Sequence, residues 1–177
     1  MNQTTKRAYA KLNLTLGVLY KRADGYHALD SIMQTVDLFD TVTVERARDI
    51  VVTSTGMVLP YDNTIRRAAE QYRALTGRSA LIRVVKRIPA QAGLGGGSAD
   101  AAATLNALQE LYDELDEKTI LEIAAKVGAD VPFCLRGGTQ RAEGIGDVLT
   151  PVKGMPLHLV VAKPAEGVST KKLFSLL

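Results

Sequence analysis

Residues 89–99 read Pro89-Ala90-Gln91-Ala92-Gly93-Leu94-Gly95-Gly96-Gly97-Ser98-Ala99, and a run rich in alanine and leucine follows. Between positions 93 and 97, four of five residues are glycine. A plain turn needs one glycine or two, so this many implies that something must come close to the backbone. Glycine has no Cβ to block approach, and it accepts positive φ angles. The start of a helix leaves backbone N–H groups unpaired and carries partial positive charge. An anion satisfies both, so a glycine loop that opens a helix reads as a phosphate cradle. A flexible linker is the plain alternative, but linkers do not usually open straight into an Ala/Leu-rich helix. Two known phosphate loops are excluded by spelling. No lysine follows these glycines, as a Walker loop requires. Ser98 stands where a dinucleotide fingerprint needs its third glycine or alanine, and Pro89-Ala-Gln-Ala separates the loop from the preceding strand.

The rest of the chain alternates strand and helix signals. Residues 8–18 place Ala10, Leu12, Leu14, Leu16 and Val18 on one face, with Lys11 and Asn13 together on the other. Asp24-Gly25 reads as a turn. Short strands are expected at 41–46 and 50–53. A helix over 63–76 follows, capped by Asp62 or Asn63 and stopped by Gly77. Residues 80–88 predict a strand that Pro89 ends. The glycine loop then leads into a helix from Ser98, as its cap, to Tyr112. Another helix spans 117–127 and stops at Gly128. Strands are expected at 131–135, 139–143 and 157–163, the last containing His158. Ser169 and Thr170 begin a further helix.

The 177 residues, 46% of them hydrophobic, suit a domain with a sizeable core. The net charge of +3 comes from scattered Lys and Arg, without a basic block interleaved with aromatics. This weighs against a nucleic-acid partner and suits small anionic substrates. The lone Cys134 excludes an internal disulfide and reads as a small buried hydrophobe. No run approaches the roughly 18 apolar residues of a membrane span, and MNQTTKRAYA lacks a signal-peptide core. A cytoplasmic location, with no membrane partner, is the expectation.

The segment Pro89-x-x-x-Gly93-Leu-Gly95-Gly96-Gly97-Ser98-Ala99 resembles the ATP-binding motif of the GHMP kinases. Three more segments narrow the likeness: Ala10-Lys11-Leu12-Asn13-Leu14, Arg22-Ala23-Asp24-Gly25-Tyr26-His27 and Gly128-Ala129-Asp130-Val131-Pro132-Phe133. In family order, these are similar to the branch that phosphorylates a cytidyl-bearing methylerythritol on the non-mevalonate route to isoprenoid precursors. The resemblance implies an α+β fold, a mixed sheet with helices on one face. It also implies ATP as phosphoryl donor, with Mg²⁺ arriving on it.

Phosphoryl transfer needs a cradle for the donor, a cation near the moving charge and a group that orients the hydroxyl. By resemblance, residues 89–99 hold ATP, with Asn63 near the adenine. Lys11 is the cation and Asp130 the base or orienting group for a tertiary hydroxyl. Asn13, Tyr26, His27 and Phe174 would hold the cytidyl substrate. Each also has a plain reading. Asp130 could be a turn or cap residue, and Lys11 and Asn13 a solvated strand face. Tyr26 and His27 could be structural, Phe174 a core residue and Asn63 a helix cap. No metal ligands are assigned.

The family's second glycine-rich motif, roughly Thr-Gly-Ser/Thr-Gly, is not found in this sequence. The expected organisation is an N-terminal ATP-binding domain over 1–163 and the start of a C-terminal domain over 164–177. Apolar surface left uncovered would favour self-association. A nucleotide-binding module without turnover, and a kinase with another small alcohol as acceptor, remain as alternatives.

Overall fold

The structure is a computed structural model that describes residues 1–25 and 27–163. Tyr26, Phe174 and the expected helix after Ser169 lie outside the described residues. Ten elements follow one another: β1 (Gln3–Lys21), β2 (His27–Ala47), β3 (Val51–Thr55), α1 (Thr64–Thr76), β4 (Ser79–Val85), α2 (Gly96–Tyr112), α3 (Glu117–Val127), α4 (Val131–Arg136), β5 (Thr139–Gly144) and β6 (Val148–Pro151).

The sheet is built on a long β1–β2 hairpin whose turn is made at Gly25, with φ +85°. On its other edge β2 pairs with β4 along 41–47 and with β5 along 29–34, both antiparallel. Because β3 joins β4 in parallel, the sheet is mixed. Side chains alternate across it, so Asp40, Val42 and Val44 of β2 and Ile82 and Val84 of β4 face inward. The helices cover that face, with α2 in the middle. Its Ala101, Leu105, Leu108 and Leu111 are buried as their spacing predicts. Asn63 caps α1 by accepting from Arg66 N at 3.0 Å, and Gly77 ends it in the left-handed region. Asp116 caps α3 in the same way.

Several local expectations differ from the structure. Residues 131–135 form a helix, not a strand. A short apolar run has no period that separates the two, and Pro132 sits where its fixed φ suits a first helical turn. Residues 157–163 form no strand. Leu157, Leu159, Val160 and Val161 are exposed, and an apolar alternation without a paired neighbour does not make a strand. His158 is therefore not a strand residue. The helix after the glycine loop starts at Gly96, with Gly95 and not Ser98 at the cap position. Finally, Leu14 and Leu16 are exposed, because the outer half of the hairpin runs past the helical layer. Among the described residues, no helix is long and apolar enough to cross a membrane.

Candidate active site

Register shifts in β1 flank Lys11. One lies between Tyr9 and Lys11 and another between Asn13 and Thr15, with a third further along, between Val18 and Tyr20. Strict alternation would send Ala10 and Lys11 to opposite faces, but both are buried. Such irregularities re-aim side chains and are common beside active sites. Lys11 Nζ donates to Asn13 Oδ1 at 2.8 Å, so the two share a face as their spacing predicts. Asn13 is held in turn by Ser31 Oγ at 2.7 Å, which donates to Thr15 O at 2.6 Å.

Asp130 stands at the cap position of α4, yet its side chain makes no capping bond. Instead Asp130 Oδ2 lies 3.3 Å from Lys11 Nζ. Its carboxylate is 37% exposed whereas the lysine side chain is 10% exposed. A buried cation thus supports a carboxylate that a substrate can reach. Cys134, one turn further along α4, is partly buried, and burial together with Asp130 pushes its thiol up to about 12.

The glycine loop closes over the same lysine. Lys11 N donates to Leu94 O at 3.0 Å. At Gly95, φ is +67°, and an added Cβ would come within 2.9 Å of Lys11 Cγ. Only glycine allows the loop to lie this close to the lysine stem. Ala99 N donates to Gly95 O at 2.8 Å, the first bond of α2, so the amides of Gly96, Gly97 and Ser98 precede the helical ladder. These are the donors of the expected cradle. Thr64 Oγ1 fastens the loop to α1 by donating to Gly97 O at 2.6 Å.

Pro89, Ala90, Gln91, Ala92, Gly93 and Asn63 line a cleft of about 240 Å³ in front of the loop. Asn63 is thus both the cap of α1 and a wall of the cleft. Leu94 and Ala99 are buried, and the Ala99 methyl packs in the core. Ser98 Oγ lies near Gly128, 3.9 Å from where a Cβ would sit, which links the helix start to the turn that carries Asp130.

Lys11, Asn13, Asp130 and the loop therefore meet. His27 lies at the far end of the hairpin, paired with Lys21, and is not part of this meeting point. Several residues at the site were not found from sequence: Ser31, Thr64, Asp40, Lys86 and Asp100. The one local hint was Asp100, a charged residue in the otherwise apolar run Ala99–Ala103.

Residues 63–138 match the model of the GHMP kinases N terminal domain. The chain is similar to the 4-diphosphocytidyl-2-C-methyl-D-erythritol kinase of Caldanaerobacter subterraneus subsp. tengcongensis, 46% identical over 174 residues that cover 96% of this chain and 61% of that relative. It is equally similar to the kinase of that name from Carboxydothermus hydrogenoformans, at 46% identity, covering 94% and 60%. The crystal structure of a 4-(cytidine 5'-diphospho)-2C-methyl-D-erythritol kinase is alike at TM-score 0.73 and 41% identity, over 84% of this chain and 55% of that one. A homoserine kinase from Cytophaga hutchinsonii shares the fold at TM-score 0.70 and 23% identity, over 100% of this chain and 60% of that one. The chain spans about three fifths of the length of the curated relatives it matches.

Proposed function

We propose, from the premise that this chain carries the GHMP kinase N-terminal domain, that it supplies the ATP cradle and catalytic pair of a 4-diphosphocytidyl-2-C-methyl-D-erythritol kinase. The observation that carries the reading is Lys11, which lies against Gly95 of the glycine loop and 3.3 Å from Asp130. Phosphoryl transfer is mainly positioning and charge stabilisation, and the site is arranged for both. The amides of Gly96, Gly97 and Ser98 bind the donor phosphates. Asp130 accepts a hydrogen bond from the tertiary hydroxyl of the methylerythritol unit and takes its proton. The hydroxyl oxygen then bonds to the γ-phosphorus as the bond to the β–γ bridging oxygen breaks, releasing ADP. Lys11, 3.3 Å from Asp130, offsets charge on the moving phosphoryl group. Asn13, fixed by Ser31, orients the acceptor. His27, at the far end of the hairpin, holds the cytosine end.

Magnesium accompanies the polyphosphate and offsets its charge. No cluster of three or more His, Cys, Asp or Glu side chains suited to a metal is found among the described residues, so no protein ligand is assigned to it.

The test is ADP release from ATP and the cytidyl substrate, with Asp130→Asn alongside. Turnover should need both substrates and fall by about 10²-fold or more in the variant, the scale of a lost acid–base group. The ATP dissociation constant should change little. Full turnover in Asp130→Asn would remove Asp130 from the mechanism. ATP binding without any transfer would leave a nucleotide-binding module in place of a kinase.

A further inference from the structure

A second lysine lies under the glycine loop. Lys86 leaves the end of β4, and its Nζ would be 3.5 Å from a Cβ on Gly96. Two carboxylates hold it. Asp40 of β2 bonds to its ammonium, and Asp100 Oδ2 of α2 lies 2.6 Å away. Asp40 Oδ1 also accepts from the backbone N–H groups of Arg87 and Ile88, so it anchors the chain entering the loop. The three side chains are 5%, 0% and 1% exposed for Lys86, Asp40 and Asp100. Lys86 and Asp100 line the same cleft as the glycines.

The charges in this cluster do not balance. Two carboxylates face one ammonium, leaving one surplus negative charge in a buried cluster beneath the glycine loop. Asp40 uses both oxygens, whereas Asp100 Oδ1 is buried with no hydrogen-bond partner among the described residues. An unpaired buried carboxylate oxygen is costly, and protonation relieves the cost. Burial pushes the Asp100 carboxyl up to about 7 against the opposing pull of Lys86, with Asp40 adding to the rise. Burial also opposes the Lys86 charge, but Asp100 and Asp40 outweigh it and hold the ammonium above its ordinary value. The groups that face Asp100 are Asp40 from β2, Lys86 from the β4–α2 connection and, at longer range, Cys134 from α4.

We propose that Asp100 is a positioning residue of the nucleotide site, and that binding of a polyphosphate at the glycine loop is coupled to uptake of one solvent proton by Asp100. The added phosphate charge and the surplus carboxylate repel each other across the first turn of α2. A proton on Asp100 removes that repulsion and leaves Lys86 balanced by Asp40 alone, with its anchoring of the loop intact. The inference rests on the polyphosphate reading of the loop, and the experiment separates the two.

MgATP is titrated calorimetrically into the chain at pH 8 in two buffers of different ionisation enthalpy. Close to one proton should be taken up per nucleotide, falling towards zero at pH 5.5. Asp100→Asn should bind MgATP with no linked proton. The wild-type affinity should fall by up to about tenfold per pH unit above neutrality, and that of the variant should stay flat. MgATP binding to wild type without proton uptake, or equal uptake in the variant, overturns the inference and leaves the cradle standing. Absence of MgATP binding overturns the cradle, and this inference with it. Should the variant not fold, the wild-type uptake between pH 5.5 and 8 still decides.

Discussion

Asp130 occupies a helix-cap position and leaves the capping bond unmade, because Lys11 competes for its carboxylate. That choice depends on a relay of short bonds from Lys11 to Asn13 to Ser31 to the backbone of Thr15. Ser31 is buried and accepts from Asn13, so its removal leaves an amide donor without its partner. Ser31→Ala should cost about 1–2 kcal/mol of stability, the penalty of a lost buried hydrogen bond. On the proposed kinase reading, it should also raise KM for the cytidyl acceptor several-fold more than KM for ATP. Steady-state kinetics with each substrate varied would check this, and equal changes in both KM values would count against the relay. Lys11, Asn13 and Asp130 were legible because they stand in motifs with a recognisable spelling. Ser31 was not, since a serine in a strand has no local mark of what it touches.

At the scale of elements, the glycine loop and the β1 strand are fitted to each other. Gly95→Ala meets two penalties: a left-handed φ of +67° and an intruding contact with the Lys11 stem at 2.9 Å. Gly77, with φ +74° and open space around it, meets the first alone. Both variants should lose about 1–2 kcal/mol from the backbone conformation. Gly95→Ala should lose more than Gly77→Ala, and it should weaken ATP binding where Gly77→Ala does not. Urea unfolding and nucleotide titration of the pair would show this, and equal behaviour would mean the loop yields without cost. Helices α1 and α3 were readable because their caps, periods and stops lie within a few residues of one another. The short helix α4 was misread as a strand for the opposite reason. Six residues are too few for a period to appear, and Pro132 is compatible with either neighbour until the packing is known.

Across the whole molecule, the Asp40–Lys86–Asp100 cluster ties β2, the end of β4 and α2 together beneath the core face of the sheet. It also makes folding sensitive to pH in a defined direction. Because the folded Asp100 carboxyl lies near 7 and its ordinary value is 3.8, the folded chain keeps a proton that the unfolded chain releases. Stability from this group is present at low pH and is lost as pH rises through the interval up to about 7. Asp30, Glu110 and Asp116 act in the other sense, since hydrogen bonds from Arg141, Lys6 and Thr119 hold their carboxyls below the ordinary value. Their contribution fades as the medium turns acid. The difference between wild type and Asp100→Asn isolates the buried group. Between pH 5 and 8 the variant should gain on wild type by an amount on the order of 1–3 kcal/mol, read from urea midpoints. A difference that stays constant with pH would show that Asp100 does not titrate there.

The amino-acid sequence by itself determined what depends on neighbours along the chain: a glycine loop opening a helix, the helix stops and the matched motifs around Lys11 and Asp130. Tertiary structure decided which side chains meet. The register shift between Tyr9 and Lys11 turns Lys11 inward, and the fold brings position 130 to it. It likewise gathers positions 40, 86 and 100 into one buried charged cluster. The physical reason is that caps, turns and periods are set by local backbone geometry. Convergence of distant charges depends on strand register and on desolvation, and neither leaves a trace in spacing.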